Sequence, residues 1–72
     1  MEQDERTVVF DEEDYLEAVR EHEPASTREV AEAVGVTIQG ADYRLRQLEE
    51  EGLVASKLIG NSRAWWIAES DD

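Results

Sequence analysis

The side chains best suited to chemistry lie between residues 26 and 68, and their types suit gripping a polyanion and reading its edges. Five bases, Arg28, Arg44, Arg46, Lys57 and Arg63, punctuate residues 26–68. Gln39 offers the amide pair that matches adenine, and Arg46 the fork that matches guanine or a phosphate. Asp42 either accepts from cytosine or orients Arg46 one helical turn on. Tyr43 falls on the same outward stripe, and Ile38 at its edge either touches a thymine methyl or packs inward. Arg44 sits toward the flank and suits phosphate better than bases. Thr27 and Arg28 open a short helix whose free backbone N–H groups form a phosphate site. Asn61, Ser62 and Arg63 form a polar tip suited to a sugar–phosphate backbone or a minor groove. Lys57 is a further phosphate contact.

Bond-breaking chemistry finds no such support. His22 is the single histidine and there is no cysteine, so disulfides and cysteine-ligated zinc are excluded. His22 reads as a helix C-terminal residue favoured by the dipole. The acid clusters Asp11–Asp14 and Glu49–Glu51 lack the calcium-loop pattern and read as solvated faces. No nucleophile–base set and no phosphate-cradling glycine loop is present. The chain is therefore expected to be no enzyme and to carry no cofactor, no metal and no small-molecule substrate. Apolar runs are only a few residues long, and Met1 is followed by Glu2, Asp4 and Glu5 rather than by bases. Neither a membrane span nor a signal peptide is expected, and the location expected is cytoplasmic.

The elements that must position these residues follow from periodicity and caps. Residues 1–10 are a polar segment expected to fray in part, with Thr7–Phe10 as a short β-prone run. Asp11 is an N-cap for a helix from Glu12 to His22, with Phe10 and Tyr15 as a hydrophobic staple. Tyr15, Leu16, Ala18 and Val19 are its apolar stripe, and Pro24 stops continuation. Ser26 and Glu29 form a capping box, with Thr27 as the other possible cap. The second helix sends Val30, Ala31 and Val34 inward and ends at Gly35, and Val36 plugs the turn. Thr37 caps a third helix from Ile38 to Glu51, with Ala41, Leu45 and Leu48 on its buried face and Gly52 beyond it. Gly40 inside that helix costs about 1 kcal/mol against alanine, so it should allow close approach to the second helix or to a phosphate. Leu53–Ile59 and Ala64–Ala68 are strands around a Gly60–Arg63 hairpin tip. The domain is expected over residues 11–68, with 69–72 as an acidic tail.

Two short helices joined by a glycine-containing turn form a helix-turn-helix pattern. The segments Glu29-Val30-Ala31-Glu32-Ala33-Val34-Gly35-Val36-Thr37 and Arg44-Leu45-Arg46-Gln47-Leu48-Glu49-Glu50-Glu51-Gly52-Leu53-Val54 resemble the winged helix-turn-helix transcription regulators of bacteria and archaea. The resemblance covers about Tyr15 to Ile67. It implies an α+β fold of three helices followed by a two-stranded β-hairpin wing. It also implies double-stranded DNA as the partner, with the third helix in the major groove and the wing beside it. One helix is expected before the motif, and no effector domain is expected with it. A protein-interaction module on the same fold, without DNA binding, is the alternative.

Trp65 and Trp66 are adjacent, so in a strand they point to opposite faces. One packs under the wing against Leu53 or the third helix. The other either serves a homodimer or covers the outer face of the sheet with Tyr15 or Phe10.

The formal net charge of -12 is unevenly placed. Residues 1–25 hold ten acids and two bases, residues 26–68 hold six acids and five bases, and the tail adds three acids. The reading half is thus almost neutral. Hydrophobic content of 40% argues against a disordered acidic chain. A nucleic-acid mimic would need acid on the third helix as well. Adaptation to molar salt remains, where the Debye length is about 3 Å and self-repulsion is screened. The Lys-poor acidic balance resembles proteins of extremely halophilic archaea. Folding should therefore strengthen with salt, and a thermal midpoint that stays put from dilute buffer to molar KCl would remove this reading.

Overall fold

Apolar residues three and four apart build three helices around one shared core, and a hairpin closes it from below. The computed structural model describes residues 12–68. In chain order these form α1 (Glu12–Glu21), β1 (Ala25–Ser26), α2 (Thr27–Val34), α3 (Ile38–Glu50), β2 (Val54–Ile59) and β3 (Ser62–Ile67). Three helices followed by an antiparallel β2–β3 hairpin are the α+β, winged-helix-like arrangement expected from the sequence. The Thr7–Phe10 run, the Asp11 cap and the Phe10 half of the staple lie outside the described residues.

Caps decide where the helices begin and end. Ser26, not Thr27, is the N-cap of α2: its Oγ accepts from the Glu29 backbone N–H at 3.0 Å, and the Glu29 carboxylate accepts from the Ser26 N–H at 2.9 Å. That reciprocal box is worth about 1 kcal/mol. Thr37 caps α3 by accepting from the Gly40 N–H at 2.9 Å. At the far end of α3, Gly52 adopts φ 84. The Gly52 N–H returns to the Glu49 carbonyl and the Leu53 N–H to the Leu48 carbonyl, the two bonds of a Schellman motif. Leu53 is thereby turned back onto the core it partly covers. Gly35, at φ 94, ends α2 in the same left-handed conformation, with Val36 half-buried behind it.

The core draws Tyr15, Ala18 and Val19 from α1, Val30 and Ala31 from α2, and Ala41, Leu45 and Leu48 from α3. Val54, Ala25 and Trp65 complete it from the sheet. Of the tryptophan pair, Trp65 is fully buried, so a dimer contact through Trp65 is ruled out. Trp66, on the other face, is half-buried. It lies with Pro24, Lys57, Ile59 and Ala64 rather than with Tyr15, which belongs to the core.

The sheet differs from expectation in three respects. It has three strands, in the order β1-β3-β2. Ala25 pairs with Trp65 and Ser26 with Ala64, so the two residues before α2 extend the sheet. Pro24 cannot continue α1, and the extended backbone that an N-cap requires is already strand-like. The hairpin tip is also shorter than the sequence suggests. Ser62 pairs with Ile59 and Arg63 with Leu58, leaving Gly60 and Asn61 as the turn. Gly60 has φ 62, the positive value that two-residue hairpin turns need at their first position. Finally, β3 stops at Ile67, whose N–H donates to the Glu23 carboxylate at 2.9 Å, so the turn after α1 is tied to the strand.

Burial raises the Tyr15 hydroxyl above its ordinary pKa of 10.0; the Arg44 guanidinium opposes the shift and the Asp14 carboxylate adds to it. A fold that holds this proton more tightly than the unfolded chain has the full benefit below the unfolded pKa. It loses that benefit as pH rises through the folded value. The thermal midpoint should therefore fall as pH rises above about 10, and Tyr15→Phe should fall less steeply over that window. Parallel curves for the two proteins would refute the assignment to Tyr15.

Candidate nucleic-acid interface

Strand alternation sorts the hairpin into two faces. Val54, Ser56 and Leu58 of β2 share the inner face with Ile67, Trp65 and Arg63 of β3, by their pairing. Ala55 and Lys57 share the outer face with Trp66 and Ala64. The inner face turns toward α3, and together with the start of α2 it bounds an open concavity of about 760 Å³.

Three elements meet there. The α2 N-terminus supplies Ser26, Thr27 and Arg28. The outward stripe of α3 supplies Ile38, Gln39, Asp42 and Arg46. The hairpin supplies Leu58, Asn61, Ser62 and Arg63. Sequence spacing pointed to nine of these, and the fold brings them to one surface. It does not bring all five bases there. Lys57 stands on the outer face beside Trp66, Pro24 and Ile59, because it is one residue out of phase with Leu58. Arg44 is half-buried on the flank of α3, donates to the Gln47 side chain at 3.3 Å, and acts electrostatically on Tyr15 of α1. Tyr43 is 67% exposed, and its hydroxyl accepts from Gln47 at 3.4 Å, outside the concavity. Thr37 is engaged as the α3 cap.

Within the concavity Asp42, Arg46 and Arg63 are already committed to neighbours. Arg46 Nε donates to Asp42 Oδ2 at 2.8 Å, the i,i+4 pair that the spacing offered as one of two uses for Asp42. Arg63 is not a free charge at a turn. It lies within β3, half-buried, its guanidinium 5.9 Å from the Trp65 ring centroid, in range for a cation–π contact. It donates to Ser56 Oγ at 2.9 Å, and that hydroxyl donates to Glu49 of α3 at 2.9 Å. The chain Glu49–Ser56–Arg63 thus fastens the hairpin to α3. Gly40 gives no close approach to α2: a Cβ there would meet only the Thr37 Oγ1, at 3.1 Å.

Two residues of the concavity were not expected from the sequence. Ser26 was read only as a cap. Leu58, 60% exposed on the inner face, was read only as strand; the alternation Val54, Ser56, Leu58 was the signal for it. Asp42 is the one acid among the residues lining the concavity. Asp14, Glu17 and Glu21 of α1 line a separate groove against Ala33 and Val34 of α2. Among the described residues no group of histidine, aspartate and glutamate is placed to hold a metal ion. None of the described helices is long and apolar enough to cross a membrane.

A family model described as a helix-turn-helix domain matches residues 14–57, more than half of the chain. No curated protein and no solved structure matches.

One bond couples the core to this surface. The buried Trp65 Nε1–H donates to Thr27 Oγ1 at 2.9 Å. A buried donor left unpaired costs about 1–3 kcal/mol. Thr27→Val should lower stability by about that amount in urea denaturation, whereas Thr27→Ser should keep the acceptor and most of the stability. Equal losses in the two variants would show that the bond is not what Thr27 contributes.

Proposed function

The chain belongs to this helix-turn-helix domain family, and on that premise we propose that it is a DNA-binding transcription regulator of the winged type. In this reading α3 enters the major groove, and the hairpin acts as the wing on the adjoining backbone or minor groove. The observation that carries it is the concavity in which the α2 N-terminus, the α3 stripe and the hairpin tip converge. A duplex presents phosphates on both sides of a groove and base edges between them. The concavity offers the complement, with Gln39, Asp42 and Arg46 central, Thr27 and Arg28 to one side, and Asn61, Ser62 and Arg63 to the other. Thr27 suits its part well. Its oxygen accepts from Trp65, which leaves its own O–H to donate outward to a phosphate.

Arg28, Arg46 and Arg63 are the bases of this surface, and Arg46 is already paired with Asp42. Lys57 and Arg44 face elsewhere and are left out of the proposed contact. Binding would then release few counterions. The proposed setting is a high-salt cytoplasm of the haloarchaeal kind, where non-specific attraction is screened away and shape and base contacts must supply affinity. The acid that keeps such a protein hydrated would sit on α1, away from the DNA.

A second reading has its own observation. Trp66 and the 58%-exposed Ile59 lie together on the outer sheet face beside Pro24, an apolar surface available to a protein partner or a second copy of the chain. A dimer would place its half-sites about one helical turn apart, or a multiple of that.

The deciding experiment is an amide-resolved NMR titration with mixed-sequence duplex DNA in molar KCl. Shifts should cluster at Thr27–Arg28, Ile38–Arg46 and Asn61–Arg63. Shifts confined to Trp66 and Ile59, or none at all, would move the assignment to the protein-interaction reading. The salt slope of log K should be no steeper than about -3, at about -0.9 per phosphate neutralised. Arg28→Ala should reduce it by about one unit, while Lys57→Ala should leave affinity and slope unchanged. An equal effect of Lys57→Ala would refute the proposed face.

A further inference from the structure

We propose that α3 carries a preset two-part base code: Ile38 with Gln39 for an A·T pair, and Arg46 held by Asp42 for a guanine about three base pairs further on. The inference rests on the DNA-binding reading and extends it to the kind of site preferred.

The guanine half follows from one bond. Arg46 Nε is taken by Asp42 Oδ2 at 2.8 Å. Only the two terminal nitrogens then remain to donate, and the carboxylate holds the guanidinium plane in one orientation. Two parallel terminal donors are what the guanine O6 and N7 pair accepts. The Arg46 side chain is 56% exposed, and both residues line the concavity. As a surface ion pair alone, the contact contributes at most about 1 kcal/mol to stability. Its larger consequence is to fix a flexible side chain before DNA arrives, which lowers the ordering cost of the contact. Asp42 is thus a positioning residue rather than a reader of cytosine.

The A·T half follows from an exposed apolar side chain in a polar surface. Ile38 is 46% exposed on the first turn of α3 and lines the same concavity. The apolar group that base pairs present in the major groove is the thymine methyl. Gln39, next to it and exposed, has no hydrogen-bond partner for its amide among the described residues. The adenine N6 and N7 edge accepts such an amide in bidentate fashion. Gln39 and Arg46 lie seven residues apart on one stripe, about 10.5 Å along the axis at 1.5 Å per residue. That is close to three base steps of about 3.4 Å.

The test is selection from a randomised duplex pool by the full chain in molar KCl, followed by anisotropy on the selected duplex. We expect an A·T column and a G·C column about three positions apart. Replacing that thymine by uracil should weaken binding about fourfold, the value of one buried methyl. Replacing that guanine by 7-deazaguanine should weaken it roughly 5- to 150-fold. Ile38→Ala should abolish the thymine–uracil difference alone. Asp42→Asn should flatten the guanine column and leave the A·T column in place, whereas a merely structural Asp42 would weaken all columns alike. Binding without these two columns, or with Asp42→Asn weakening every column equally, overturns the code while DNA binding stands. Retention of no duplex at all overturns the DNA-binding reading and the code with it.

Discussion

Burial of Trp65 is the constraint on which the rest of this structure hangs. The ring is fully buried between the sheet and the helices, and an aromatic side chain of that size is a large share of so small a core. Its indole N–H cannot remain unpaired there without a cost comparable to a substantial part of a small domain's stability. Thr27 satisfies it, and so the first residue of α2 is held against the middle strand. Ala25 pairs with the same tryptophan through the backbone. Arg63 lies over the ring and donates to Ser56, whose hydroxyl in turn donates to Glu49. One side chain therefore sets the position of the α2 N-terminus, the hairpin and the end of α3 relative to one another.

Those three elements also bound the concavity, so the same packing that stabilises the domain shapes its proposed working surface. The polar chain from Glu49 through Ser56 to Arg63 would cost stability if any member were left unpartnered in a half-buried setting. Each member here has a partner, and the hairpin is held against α3 rather than hinging on its two glycine-ended turns. A rigid groove suits the reading of a rigid duplex, because little ordering is left to be done on contact.

Charge is distributed according to the same division of surfaces. Asp14, Glu17 and Glu21 of α1 lie in a groove against α2. The hairpin from Val54 to Ile67 carries Lys57 and Arg63 and no acid. In dilute buffer a net charge of -12 on 72 residues repels both itself and any polyanion. In molar salt that repulsion reaches only about 3 Å, and in the proposed reading local complementarity would decide binding.

Much of this protein was determined by local sequence. Helix starts and stops are short-range events, and Ser26 with Glu29, Thr37, Gly35 and Gly52 placed them within a residue or so of where they occur. The buried stripe Ala41, Leu45, Leu48 follows from a fixed period of 3.6, as does the outward stripe of Gln39, Asp42 and Arg46. Choices between partners far apart in the chain were decided only by the tertiary structure. Which tryptophan is inside depends on hairpin register, and a shift of one residue would exchange the faces. That register sent Lys57 away from the concavity, brought Leu58 into it and drew Arg63 into a packed position. The short strand at Ala25–Ser26 has no propensity signal of its own and exists because β3 is there to pair with it. Asp42 could have served a base or its own helix, and the 2.8 Å bond to Arg46 assigns it to the helix. Local sequence set the elements because their hydrogen bonds close within a few residues. The surface they form needed the fold, because it is assembled by contacts such as that of Trp65 with Thr27, 38 residues apart.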